Sequence, residues 1–158
     1  MCEEELLPQK GSKTAKKKGI LQSMTDMMQL CNQIRETAFE IHKYLRNGHL
    51  EKIYENALFH RLLKLGLNVK KQHPIEVYDE DGTLLGDYAA DLLVEDRLII
   101  EIKAAKALAD EHVAQLLGYL RASRIEHGLL INFGGAKFEI KKYILSGVGH
   151  SQALNEAL

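Results

Sequence analysis

Hydrophobic positions along this chain recur with two different periods. Over residues 23–45 the apolar side chains Met24, Met27, Met28, Cys31, Ile34, Ala38, Ile41 and Leu45 keep the three-and-four spacing of one helix face. Ser23 is placed to cap that helix, with Asp26 three residues on, and Asn47-Gly48 ends it. A second helix is predicted over 49–65, burying Leu50, Ile53, Tyr54, Ala57, Leu58, Leu62 and Leu65 before Gly66 stops it. The period then changes to two. Residues 67–78 read as a strand in which Pro74 marks an edge or a bulge. The turn Asp79-Glu80-Asp81-Gly82 follows, then a strand over 84–94 with Gly86 as a bulge or a close approach. A third strand ends at Lys103. Helical spacing returns over about 110–124, with Val113, Leu116, Leu117 and Leu120 as the core stripe. GLLINF at 128–133 predicts a central strand, and residues 138–145 alternate as an edge strand would. No internal repeat is visible.

The densest chemistry lies in residues 91–103. Leu92-Leu93-Val94 and Leu98-Ile99-Ile100 flank Glu95-Asp96-Arg97, which reads as two buried strands and a tight turn. A three-residue loop pairs Val94 with Leu98, and counting back sets Asp91 opposite Glu101. Directly opposed residues have Cβ atoms roughly 4.5–5.5 Å apart, so two carboxylates there repel. Isolated charges on apolar strands are costly unless paired. A hard divalent cation between the two is the natural compensation, with Lys103 on the same face as Glu101. The competing reading is of acids simply solvated at strand ends.

Two further groups stand beside apolar stripes. Glu51 is three and four residues before Tyr54 and Glu55, at the edge of the second helix's buried side. It either reaches a core-facing site or favours the helix dipole from the first turn. Gln115 and Tyr119 share a face four residues apart, with His112 three before Gln115. They face a site, or lie on a solvated flank.

Composition adds limits. The chain has 158 residues, 46% of them hydrophobic and 27% charged, which fits one domain with a proper core. Residues 1–22 read as a disordered lysine-rich tail, 23–146 as the folded domain and 147–158 as a C-terminal tail. Net charge is −1. Lys10, Lys13, Lys16, Lys17 and Lys18 outweigh Glu3, Glu4 and Glu5 in the leading segment, so the remainder is acidic, at −3. That argues against a surface living on non-specific phosphate contacts, unless a cation neutralises the acids. No apolar run approaches the roughly 18–20 residues of a membrane span, and the first residues lack the apolar core of a signal peptide. Cys2 and Cys31 make neither a disulfide framework nor a zinc spacing, which suits a reducing cytoplasm.

The order helix, helix, three strands, helix, two strands, with Asp91, Glu101 and Lys103 on the second and third strands, resembles the PD-(D/E)XK nuclease superfamily. More narrowly it resembles the bacterial GxxExxY family. That likeness is carried by Gly48-His49-Leu50-Glu51-Lys52-Ile53-Tyr54, YAADLLVEDRLIIEIKA, the segment from His112 to Leu120, and GLLINFG. It spans roughly residues 25–145. The resemblance implies an α/β fold of the α+β mixed-sheet kind: a restriction-endonuclease-like α-β-β-β-α-β core with an extra N-terminal helix. It implies Asp91 and Glu101 as metal ligands, Glu51 as a further metal contact and catalytic group, and Lys103 as the catalytic lysine. Gln115 and Tyr119 match a Q-x-x-x-Y pattern beside the site. Ala90 stands where the motif's proline would be, a common variation. The function implied is Mg²⁺- or Mn²⁺-dependent hydrolysis of phosphodiester bonds in nucleic acid, DNA foremost, by a homodimer or with a protein partner. The alternative is a non-catalytic module that binds nucleic acid or protein on the same scaffold.

Overall fold

The structure, a computed structural model, describes residues 12–147 and the backbone of 153–157. The elements run α1 (Ser12–Leu45), α2 (Glu51–Lys64), β1 (Val69–Tyr78), β2 (Leu84–Val94), β3 (Leu98–Lys103), α3 (Asp110–Ser123), β4 (His127–Asn132), β5 (Glu139–Leu145) and β6 (Ala153–Ala157). The strands form a mixed sheet in chain order, β1 to β6. Only the β3–β4 pairing is parallel, and α3 supplies its crossover. The chain divides into two compact units, Met1–Gln33 and Ile34–Leu158. Among the described residues no helix is long and apolar enough to cross a membrane.

In the first unit the helix starts at Ser12, so Ser23 lies inside it rather than at its cap. The lysine-rich segment expected to be a tail is therefore helical from Ser12 on, and residues 1–11 lie outside the described ones. Met24 and Met28 are exposed, which makes the buried stripe narrower than the spacing suggested. Helix propensity explains the early start: Lys and Ala dominate residues 13–18, and nothing there breaks a helix.

The second unit carries the sheet. On one face α3 covers Ile75, Ala90, Leu93, Ile99, Leu130 and Tyr143 with Leu116, Tyr119 and Leu120. On the other, α2 packs across β1, β2 and β3. Pro74 does sit in an edge strand, the place in a sheet where proline is tolerated. The expected irregularity near Gly86 is present: Val77 pairs with Gly86 but Tyr78 with Leu84, leaving Leu85 over as a bulge. Two expectations fail. β5 is not an edge, because residues 153–157, expected in a C-terminal tail, pair with it as β6. On α2, Leu50, Ile53 and Leu65 are exposed, while the buried face is Tyr54, Glu55, Leu58 and Leu62. The helix is rotated toward Glu55 relative to its apolar stripe.

Tyr54 locks the approach to α2. Its ring stacks on Phe133, centroids 4.8 Å apart. Its hydroxyl donates to the Arg46 carbonyl at 2.5 Å and accepts from the His49 N–H at 3.1 Å. Those bonds close a loop that includes Arg46 at φ 60° and Gly48 at φ 115°. Tyr54→Phe is expected to lower stability by about 1–2 kcal/mol, since two backbone groups lose a partner. Urea denaturation checks this, and an unchanged midpoint would show the loop holds without the hydroxyl.

Candidate functional site

The site lies where β2 and β3 part. Their ladder runs Val94–Leu98, Leu93–Ile99 and Leu92–Ile100, the register expected from a three-residue loop. Beyond Ile100, β3 stays with β4 as far as Lys103–Asn132. In the fork between β2 and β3 stand Asp91 and Glu101. Each carboxylate takes the other strand's backbone: the Asp91 N–H donates to Glu101 Oε1 at 3.0 Å, and the Ile102 N–H donates to Asp91 Oδ2 at 2.8 Å. Side-chain bonds thus replace the ladder at this step, and both acids are held in fixed orientations.

The environment resists charge. Burial raises the Glu101 carboxyl to about 8, helped by the neighbouring Asp91 charge. Asp91 is raised too, first by burial, while the Ile102 N–H opposes the shift and Glu55 adds to it. Glu51 is raised by burial, and the Lys103 ammonium counteracts this. Lys103 also favours the charged forms of Asp91 and Glu101. None of the ion pairs among the described residues involves Lys103. One ammonium therefore serves three acids, and the cluster carries surplus negative charge when ionised.

From α2, Glu51 and Glu55 project four residues apart on one side. Glu55 is 3% exposed and accepts from Lys52 Nζ at 3.0 Å. Gln72 on β1 donates from Nε2 to both Glu55 oxygens at 3.1 Å and to Asp91 Oδ1 at 3.4 Å. From α3, Gln115 Nε2 donates to the Tyr119 hydroxyl at 3.0 Å. Burial and the nearby Glu101 charge raise Tyr119, so its phenol borders the same cluster. His112 does not join them: its Nδ1 accepts from the Ala109 N–H at 3.1 Å and caps α3.

The chain after Lys103 is clamped. Fully buried Asn132 accepts from the Ala105 and Gly134 N–H groups at 3.0 and 3.1 Å and returns its Nδ2 to the Ala105 carbonyl at 2.9 Å. A Cβ on Gly134 would fall 2.3 Å from the Ala104 carbonyl carbon, so only glycine allows this approach. The Lys103 carbonyl is itself fixed by the Phe133 N–H at 2.9 Å.

The structure thus brings Asp91, Glu101, Glu51, Lys103 and Tyr119 into one electrostatic neighbourhood, with Gln115 bonded to Tyr119. It differs from the expected picture in one respect. Among the described residues no three His, Cys, Asp or Glu side chains converge as a ready ion cage, and Asp91 and Glu101 each turn one oxygen toward a backbone N–H. Two participants were not foreseen. Glu55 was visible as the residue four after Glu51, but the helix was read as facing the sheet through Ile53. Gln72 lies in the polar run Lys70-Lys71-Gln72-His73, which carries no local sign of a site.

The donor set suits a hard divalent ion. It is all oxygen, largely carboxylate, and short of positive charge.

Residues 28–143 match a family model described as the PD-(D/E)XK nuclease superfamily. No curated protein matches the chain. Among solved structures, the crystal structure of SSO0001 is similar at 19% identity and a TM-score of 0.48, over 68% of this chain and 50% of that one. The chain therefore spans half the length of that protein.

Proposed function

This chain belongs to the PD-(D/E)XK nuclease superfamily, and from that footing we propose that it is a divalent-metal-dependent nuclease acting on nucleic acid, with DNA as the substrate and Mg²⁺ or Mn²⁺ as the ion. The observation that carries the reading is the fork itself: half-buried Asp91 and buried Glu101 fixed at the point where β2 and β3 separate, with Lys103 two residues after Glu101 at the end of β3. Asp91, Glu101 and Glu51 would hold the ion. Such an ion supplies Lewis acidity to a phosphate and acidifies a bound water.

The chain's own groups do the rest. The Lys103 ammonium orients the attacking water and offsets charge growing on the phosphate oxygens. Gln115 and Tyr119 form a hydrogen-bonded pair on the α3 side, suited to holding a phosphate oxygen or the lysine. Gly48, Glu51 and Tyr54 keep the spacing of the GxxExxY signature, which supports assignment to that narrower family. Its tyrosine then serves the fold, through the loop bonds described above, and its glutamate serves the site. A second copy or a protein partner would supply specificity to so small a domain.

One observation favours a second reading, a binding module without catalysis: outside the first 19 residues the chain is net negative, a poor start for gripping phosphates. A cleavage assay over single-stranded, double-stranded and branched DNA and RNA, with Mg²⁺ or Mn²⁺ and an EDTA control, separates the two. The nuclease reading expects DNA cleavage that EDTA stops. Intact substrates throughout, with no heat of Mn²⁺ binding, would leave the binding module.

A further inference from the structure

Gln72 belongs to no motif, yet its backbone is held against its preference. Its φ is 49°, in the left-handed region that non-glycine residues seldom adopt. β1 and β2 pair at Lys71–Leu92 and again at His73–Ala90, with Gln72 and Asp91 passed over between them. The alternation of faces slips at the same point. Ala90 and Leu93, three residues apart on one strand, both join the core under α3, where a regular strand would set them on opposite sides. Strain of this kind persists where surrounding structure imposes it, and it clusters at functional sites.

The slip has one visible product. It directs the Gln72 amide between two acids, onto both oxygens of Glu55 at 3.1 Å and onto Asp91 Oδ1 at 3.4 Å. Asp91 Oδ2 accepts the Ile102 N–H at 2.8 Å, a shorter bond than the one from Gln72 to Oδ1, so Oδ1 is the less committed of the two oxygens and keeps a lone pair for a ligand. Glu55, pinned by Lys52, gives the amide a fixed anchor on α2. We infer that Gln72 is a positioning residue: anchored by Glu55, it aims Asp91 Oδ1 at a hard divalent cation. This rests on the nuclease reading above. Partners that orient a metal ligand commonly change affinity ten- to hundred-fold when lost.

Mn²⁺ titration calorimetry, with a thermal melt in EDTA, tests this on wild type, Gln72→Gly and Gln72→Met. Glycine accepts the positive φ and removes the amide. Methionine keeps the length and the backbone cost but cannot donate. Both variants are expected to melt within a few degrees of wild type and to bind Mn²⁺ about ten-fold more weakly or worse. Wild-type affinity in either folded variant would overturn the inference, as would a large loss of melting temperature with affinity kept, the mark of a purely structural clamp. A wild-type protein that binds no Mn²⁺ would instead remove the nuclease reading, and this inference with it.

Discussion

Lys103→Met should leave a folded protein whose metal-dependent cleavage is slower by about 10²–10³-fold, the range seen when one preorganised charge-stabilising group is removed. The fold should survive because the main chain here is secured without the side chain. The Lys103 carbonyl is bound by Phe133, and the following residues are clamped by Asn132. Methionine keeps most of the aliphatic stem, so packing changes little. The loss is electrostatic. Lys103 is the cation that favours ionised Glu51, Asp91 and Glu101, and with it gone the fork loses the ammonium it would set against phosphate charge, since Lys52 is already paired with Glu55. Single-turnover kinetics at saturating Mn²⁺, with circular dichroism as the check on folding, give the answer. A variant that cuts at the wild-type rate would remove Lys103 from the chemistry.

Glu101→Gln should do the reverse to stability. In the metal-free protein the Glu101 carboxyl titrates at about 8 rather than 4.5, through burial and the neighbouring Asp91. Between those values the folded state holds a proton that the unfolded state has released. Stability therefore falls as pH rises across that window, and the loss is complete above pH 8. Between pH 7 and 9 the wild type should lose about 1.4 kcal/mol, one pH unit's worth of linkage. Glutamine resembles the protonated acid: its Oε1 can still accept the Asp91 N–H, and its amide can donate toward Asp91. The variant should be flat across this window and more stable than wild type at pH 9 by roughly 2–4 kcal/mol. It should also lose Mn²⁺ binding and cleavage, since a neutral amide replaces a carboxylate donor. Urea melts in EDTA at pH 7 and 9 check the first part. Parallel pH profiles for the two proteins would show that Glu101 ionises freely in the fold.

The order of elements from α1 to β5 was legible in the residues because each rests on short-range periodicity, whereas β6 was not. The β2–β3 hairpin shows this best: two apolar runs and three polar residues fix Val94 opposite Leu98, and the count back to Asp91 and Glu101 follows from strand geometry alone. Core strand β4 and the span of α3 are equally local. The residues of the candidate site could be named from the same stretches, together with the family likeness they carry.

What tertiary structure alone decided is how those residues are oriented and what else stands with them. Helical spacing offers α2 more than one apolar face, and only packing on the sheet chose Tyr54, Glu55, Leu58 and Leu62 over Leu50 and Ile53. Alternation along a strand assumes extended backbone throughout. A single left-handed residue at Gln72 shifts the faces by one, and nothing in Lys70-Lys71-Gln72-His73 announces it. Glu55 and Gln72 enter the acidic cluster for that reason, through contacts 17 residues apart in the chain. Local pattern set the strands and the charges they carry; long-range packing set which oxygen of each carboxylate is spent on the backbone.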